Sequence, residues 1–254
     1  MMNALRKLLY RLLPLESYLR AVSRLYFIYM RLGLGRRSEA VEYVRLLPQL
    51  VRRGDTCIDI GANLGYYSRP LSRLAGDEGR VLAVEPVPVI GRVLRRNLRC
   101  CRNVEILPYA LGAENRRITM SNDSVLTDGY FGTGRNRVDD SAAADDTGAT
   151  AGSAAAGAAT FEAEMRRGSE LFGGLTRVDF IKCDVEGYEL YIMRELRPLL
   201  ERHLPTVLIE TGGDNRRQII ELFTALGYRG MTLDRGRLIP LAPDSTKDIV
   251  FLHD

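Results

Sequence analysis

The residues of this chain that could do chemistry are carboxylates at the ends of apolar runs. Asp59 closes "TCID", with Gly61 and Gly65 just behind it. Glu85 closes "VLAVE", Asp184 closes "FIKCD" with Glu186 two residues on, and Glu210 closes "TVLIE". Short apolar runs bounded by turn signals read as buried strands. In an open α/β sheet, ligands bind beyond the carboxyl ends of such strands. The acids are therefore gathered where a ligand would sit.

The glycine spacing is D-x-G-x-x-x-G rather than the G-x-G-x-x-G of a dinucleotide site, so no pyrophosphate needs cradling. Gly61 has no Cβ and lets a ligand approach the backbone. Asp59 suits a cationic ligand, and Glu85 is placed to accept hydrogen bonds from both hydroxyls of a ribose. A ribose joined to a cationic amino-acid portion describes S-adenosylmethionine. Asn63 and Ser68 are placed to bond its amino-acid end. Tyr66 or Tyr67 lies near the sulfonium, although core packing explains either ring equally well. Ala110 and Leu111, after the third strand, flank the adenine.

For methyl transfer to a hydroxyl, the acceptor must be held in line and must lose its proton, a task for a positioned carboxylate. Asp184 ranks first as base or substrate anchor, then Glu186, then Glu210. Each also has a structural reading: Glu186 as a helix N-terminal acid, Glu210 as a partner for loop amides. Lys182 neutralises neighbouring acids or faces solvent, and the second reading is preferred. The three acids are also oxygen ligands of the kind magnesium takes, but no obligatory metal is expected.

Strands and helices alternate from residue 51 onwards. The strands are "DTCIDI", "RVLAVEP", "NVEILPYALG", "VDFIKCDVEG" and "PTVLIET", with "RITMS" a short extra one and "YRGMTLD" and "KDIVFLHD" a final hairpin-like pair. The helix "YYSRPLSRLA" tolerates Pro70 only in its first turn. This alternation predicts an α/β fold with a doubly wound, mostly parallel sheet. Residues 141–160, half alanine and without Leu, Ile, Val or Phe, read as a flexible insert. With its flanks it forms a long loop over residues 121–175, on the ligand side, where lids and substrate-recognition elements are found.

The segments "IDIGANLGYYS", "VLAVEPVP", "NVEILPYALG", "VDFIKCDVEGYELYIMREL" and "PTVLIET" resemble the FkbM family of S-adenosylmethionine-dependent methyltransferases. The pairing of "EPVP" with "IKCDVEG" makes the resemblance specific, and it covers roughly residues 39–254 apart from the insert. It implies a Rossmann-like, seven-stranded methyltransferase sheet carrying an N-terminal helical extension. It also implies O-methylation of a small-molecule or glycan acceptor: a hydroxyl of a sugar, glycan, glycolipid or natural product. The departure is the stretch before the fourth main strand, "ATFEAEMRRGSELFGGLTRVD", which bears on the acceptor rather than on the reaction.

Length and composition bound these readings. The chain has 254 residues, enough for one large domain (51–254) with an extension (1–50). Its four cysteines have neither metal-ligand nor disulfide-framework spacing, which fits a reducing cytoplasm, and two histidines are too few for a His-rich zinc site. Residues 1–37 carry eight basic residues and one acid, a net +7 against +4 for the whole chain, leaving −3 for the rest. Leucines at helical spacing accompany that charge. Helices packed on the main domain are the favoured reading. Peripheral contact with an anionic membrane, at the inner membrane surface, is the second. Nucleic acid ranks last, because no recognised module follows. Two rival functions remain at this point. One is an NAD-type oxidoreductase, opposed by the missing glycine fingerprint. The other is a non-catalytic cofactor-binding or membrane scaffold, opposed by the intact acids.

Overall fold

The computed structural model describes residues 2–34, 39–139, 157–213 and 215–253. Three helices come first: α1 (Met2–Leu12), α2 (Leu15–Arg31) and α3 (Glu39–Leu50). Pro14 separates α1 from α2, as its missing N–H predicts. There follow β1 (Thr56–Ile60), α4 (Ser68–Ala75), β2 (Arg80–Val84), α5 (Pro88–Asn97), β3 (Val104–Leu107), β4 (Tyr109–Leu111) and β5 (Arg116–Asn122). Next are α6 (Ser124–Asp128), β6 (Asn136–Val138), β7 (Ala159–Arg166), α7 (Gly168–Phe172), β8 (Phe180–Cys183), α8 (Glu189–Glu195) and α9 (Arg197–His203). The chain closes with β9 (Thr206–Ile209), α10 (Asn215–Ala225), β10 (Arg229–Asp234), β11 (Arg237–Pro240) and β12 (Ile249–Leu252).

The main sheet runs β11-β10-β12-β9-β8-β1-β2-β3. Strands β3, β2, β1, β8 and β9 are mutually parallel. β12 inserts antiparallel between β9 and β10. These are the seven expected strands. An eighth, β11, pairs with β10 at the edge and was not foreseen, because "RLIP" is short and mostly exposed. The chain leaves β1 for β2 on one side and reaches β8 on the other, so the topological switch lies at the end of β1. Side chains alternate across the sheet as period two requires. Ile58, Ile181 and Val207 pack towards α8, α9 and α10. Cys57, Phe180 and Leu208 pack against Leu71 of α4 and Tyr43 and Leu47 of α3. Pro70 does sit in the first turn of α4.

Two expectations need correction. "NVEILPYALG" is not one strand. Pro108, which cannot donate to a ladder, divides it, and β4 leaves for a second sheet of order β4-β7-β5-β6. The region 121–175 is also not a plain loop: it contributes α6, β6, β7 and α7. Residues 141–156 of the expected insert lie outside the described residues, but Ala159 and Thr160 already belong to β7. β7 alternates inward Phe161, Ala163 and Met165 with outward acids, so it pairs with β5 over seven residue pairs.

Candidate active site

The turn after β1 is tightly fixed. Gly61 has φ +76°, and a Cβ there would lie 1.9 Å from the backbone oxygen of Asp184. The glycine is thus required by the neighbouring strand end as well as by its own backbone angle. Gly65 has φ +90°, and a Cβ would crowd Leu94 and Leu98, so this glycine serves the packing of α5. Between them, Asn63 adopts φ +52° and donates its backbone N–H to Glu85 Oε2 at 2.9 Å. Val87 N–H donates to Glu85 Oε1, also at 2.9 Å. Burial pushes the Glu85 carboxyl up to about 7, against the opposing pull of those two donors.

Asp59 is fully buried and accepts a 2.5 Å hydrogen bond from Ser68 Oγ. The Ser68 hydroxyl is thereby committed to orienting Asp59. The other oxygen, Asp59 Oδ1, accepts no hydrogen bond within the described residues, and Lys182 Nζ lies 3.7 Å from it. Lys182 is not the solvent-facing residue expected from sequence. It is buried, donates to the Gly61 carbonyl at 3.0 Å, lies 3.2 Å from Asp184 Oδ2 and stands 5.2 Å above the Tyr67 ring. Burial alone would depress its ammonium, but Asp184 and Asp59 outweigh that and hold it protonated. Burial likewise pushes Asp184 up, yet the Lys182 charge beside it wins and holds it below the ordinary range.

The three candidate acids lie close enough to act on one another's charge. Glu210 hydrogen-bonds Asp184, and its own carboxyl is pushed up by burial and by the Asp184 charge. Glu186 takes a left-handed backbone, φ +62°, and Gly134 is held so close that a Cβ there would lie 3.1 Å from Glu186 Oε1. By surface area Glu186 is exposed. Desolvation and the Asp184 charge push it up all the same, to about 7. The acid in the first turn of α8 is Glu189 rather than Glu186; it is buried and accepts backbone N–H bonds from Val185 and Gly187 of the preceding turn at 3.0 Å.

Two cavities meet here. One is bordered by Gly61, Glu85, Ala110, Leu111, Asp184 and Glu186. The second, bordered by Arg6, Tyr18, Tyr26, Tyr66, Phe131 and Lys182, reaches up to α1 and α2. Gly61, Asn63, Thr133 and Asp184 border both. The roof over them is the turn from Gly129 to Asn136. Asn122 Nδ2 donates to the Gly132 carbonyl at 2.8 Å and to Asn136 Oδ1 at 2.9 Å. Gly132 N–H donates to Ser124 Oγ at 2.8 Å, and Asn136 Nδ2 to the Thr133 carbonyl at 2.8 Å. From above, Tyr18 donates its hydroxyl to the Phe131 carbonyl at 3.1 Å. Tyr66 packs against Tyr26 of α2, with ring centroids 4.0 Å apart and planes inclined at 43°.

The sequence model of the Methyltransferase FkbM domain matches residues 59–229, from Asp59 through every acid just described. The chain belongs to the FkbM methyltransferase family. Its cofactor is S-adenosylmethionine. Among relatives, methyltransferase sdnD of Sordaria araneosa is 26% identical over 205 residues, 72% of this chain and 76% of the relative. Protein-L-isoaspartate O-methyltransferase 1 of Archaeoglobus fulgidus is 27% identical over 96 residues, 37% of this chain and 40% of the relative. The crystal structure of methyltransferase FkbM from Methylobacillus flagellatus overlays with a TM-score of 0.49 at 14% identity, covering 80% of this chain and 48% of that one. This FkbM chain thus spans about half the length of that protein. The residues present fit the cofactor. Glu85 is a buried carboxylate facing a cavity walled by Ala110 and Leu111, whereas Asp59 borders neither cavity and is held behind the turn by Ser68 and Lys182.

Sequence reasoning weighed Lys182 as a neutraliser of neighbouring acids but preferred the solvent-facing alternative, and it missed Glu189 and the Asn122 network. A signal existed for Lys182: a lone cation in an otherwise apolar strand needs an acid on the strand next to it. The residue paired with it across β1 and β8 is Asp59.

Proposed function

We propose that this protein transfers a methyl group from S-adenosylmethionine to a hydroxyl of a sugar-bearing acceptor: a glycan, a glycolipid or a glycosylated natural product. Asp184 takes the hydroxyl proton. The observation that carries this reading is the position of Asp184, the one carboxylate that borders both cavities. The cavity beside Glu85 suits the nucleoside half of the cofactor. The second cavity, walled by Tyr18, Tyr26, Tyr66 and Phe131, suits an acceptor with apolar ring faces and polar edges. The bound cofactor supplies an electrophilic sulfonium methyl. Lys182 keeps Asp184 ionised and fixes its direction, so that it accepts the hydrogen bond of the incoming hydroxyl. S-adenosylmethionine, once bound, would give up its methyl to the hydroxyl oxygen and leave as S-adenosylhomocysteine, while Asp184 takes the hydroxyl proton.

The test is a screen of sugar acceptors, with S-adenosylhomocysteine release as the readout and the product identified by NMR. Asp184→Asn keeps the shape and an acceptor oxygen but is a far weaker proton acceptor. Its turnover is expected to fall about 10²-fold or more, with S-adenosylhomocysteine affinity nearly unchanged by calorimetry. A product methylated on nitrogen or carbon would sink the O-methyl reading. Near wild-type turnover in Asp184→Asn would remove Asp184 from the role.

A further inference from the structure

A groove of about 690 Å³ lies between α2, α4 and the end of α5, on the far side of Tyr26 and Tyr66 from the cavity that reaches Asp184. Six arginines line it: Arg24, Arg31, Arg69, Arg73, Arg96 and Arg99, with no acidic residue among the lining side chains. Within the described residues none of the six forms an ion pair, although eleven other arginines of the chain do. Helix C-termini favour cations, and this accounts for Arg31, Arg73 and Arg96, which end α2, α4 and α5. Arg69 lies over the Phe27 ring, which leaves Arg24 and Arg99 unexplained.

Beside the groove, α2 exposes an apolar ridge at helical spacing. Leu25 is 46% exposed, Ile28 54% and Leu32 67%, and Ile28 also lines the groove. α1 exposes a second ridge of Leu5, Leu8 and Leu12. Uncompensated arginines next to unpartnered leucines are the two attractions that hold a protein at an anionic bilayer interface. A nucleic-acid strand would instead use free aromatic faces for base stacking. Those faces are taken here, because Tyr26 packs on Tyr66 and Arg69 lies 4.9 Å over Phe27.

We propose that this groove receives the anionic headgroups of a lipid bilayer while the α2 ridge enters the interfacial layer. The charge of the segment, +7 over residues 1–37, complements such a surface. The attachment is separate from catalysis, since none of the six arginines borders the cavities around Asp184.

Flotation of the full chain with equimolar phosphatidylcholine–phosphatidylglycerol vesicles, against pure phosphatidylcholine vesicles, tests the proposal. Binding is expected to the anionic vesicles only and to weaken with salt. Each arginine removed should weaken partitioning about five-fold, so Arg73→Ala/Arg96→Ala/Arg99→Ala should lose on the order of 100-fold. Leu25→Ser/Ile28→Ser should also bind more weakly. Circular dichroism melts verify that each variant is folded, and Arg99→Glu alone serves if the triple variant is not. Soluble inositol hexakisphosphate should compete only weakly, since it lacks the bilayer. The proposal is overturned if neutral vesicles bind equally, if the arginine variants partition like wild type, or if the groove binds inositol hexakisphosphate or homopolymeric RNA while vesicles do not bind.

Discussion

Glu85 and Lys182 have opposite electrostatic problems, and each leads to a measurement. Glu85 is buried, with its pKa raised from 4.5 to about 7. A carboxyl raised in the folded state favours folding below its unfolded pKa, and that contribution is lost as pH rises through the folded value. The penalty therefore accumulates between about pH 4.5 and 7 and amounts to ~3 kcal/mol. Without cofactor, Glu85→Gln should gain about that much stability relative to wild type on going from pH 4.5 to pH 8, read by urea denaturation. If ribose hydroxyls bond the ionised form, S-adenosylhomocysteine should bind wild type more tightly as pH rises through about 7, and the glutamine variant should lack that slope. Lys182 is the reverse case. Replacing it with Met leaves Asp59 fully buried with no counter-charge, at a cost of about 3–5 kcal/mol. The loss should shrink in acid, where Asp59 can protonate; an equal loss at pH 5 and pH 8 would mean the ammonium acts only as packing. At this scale the sequence was readable where chemistry is local. The acids and glycines announce a cofactor turn in one dimension. The partnership of Lys182 with Asp59 does not, because it exists only once β8 lies beside β1, more than a hundred residues away in the chain. The same is true of Gly61, whose constraint comes from the Asp184 carbonyl.

Among the elements, the second sheet and its turn carry the roof of the site. Asn122 is 1% exposed and anchors Gly132 and Asn136. Asn122→Ala leaves the Gly132 carbonyl and Asn136 without that partner, so a loss of ~2 kcal/mol is expected. Because Thr133 and Gly134 border the cavity beside Glu85, which we propose holds the nucleoside, S-adenosylhomocysteine affinity should fall too. Calorimetry alongside chemical denaturation separates the two effects, and unchanged affinity would show that the roof holds its shape without the network. The parallel strands were legible because they are continuous apolar runs. β7 was not, since its inward Phe161, Ala163 and Met165 alternate with polar residues directly behind an alanine-rich stretch whose composition dominated the reading. Pro108 offered the clue to the split between β3 and β4.

At the scale of the whole molecule, the first helices are bound into the catalytic unit. Tyr18 and Leu19 of α2 share a core with Val89, Ile90 and Val93 of α5, Ile118 and Met120 of β5, and Phe131 of the roof. Leu19 is fully buried. Leu19→Ala should therefore cost about 2–5 kcal/mol and lower the midpoint of a single unfolding transition. Two transitions, with the helices lost first, would show that α1 and α2 are a separable layer. Packing of these helices was the favoured expectation from sequence, but their share in the second cavity was not foreseen, since leucine periodicity does not say which surface a helix covers. No described helix is long and apolar enough to cross a membrane.

The seat of β12 has a consequence for how the chain is made. Among the described residues, β12 supplies the only ladder that joins the β10–β11 hairpin to β9. A ribosome must therefore translate almost to residue 252 before the sheet can close. Until then Val207, Leu208 and Ile209 present a bare apolar edge, the kind of edge that pairs with other chains. The hairpin, meanwhile, lacks its ladder to the sheet, although Leu233 has the apolar faces of α3 and α4 to pack on. Newly emerging polypeptide is thus most exposed to misassembly between the emergence of β9 and that of β12, when a factor that shields strand edges near the exit tunnel would have its greatest effect on yield.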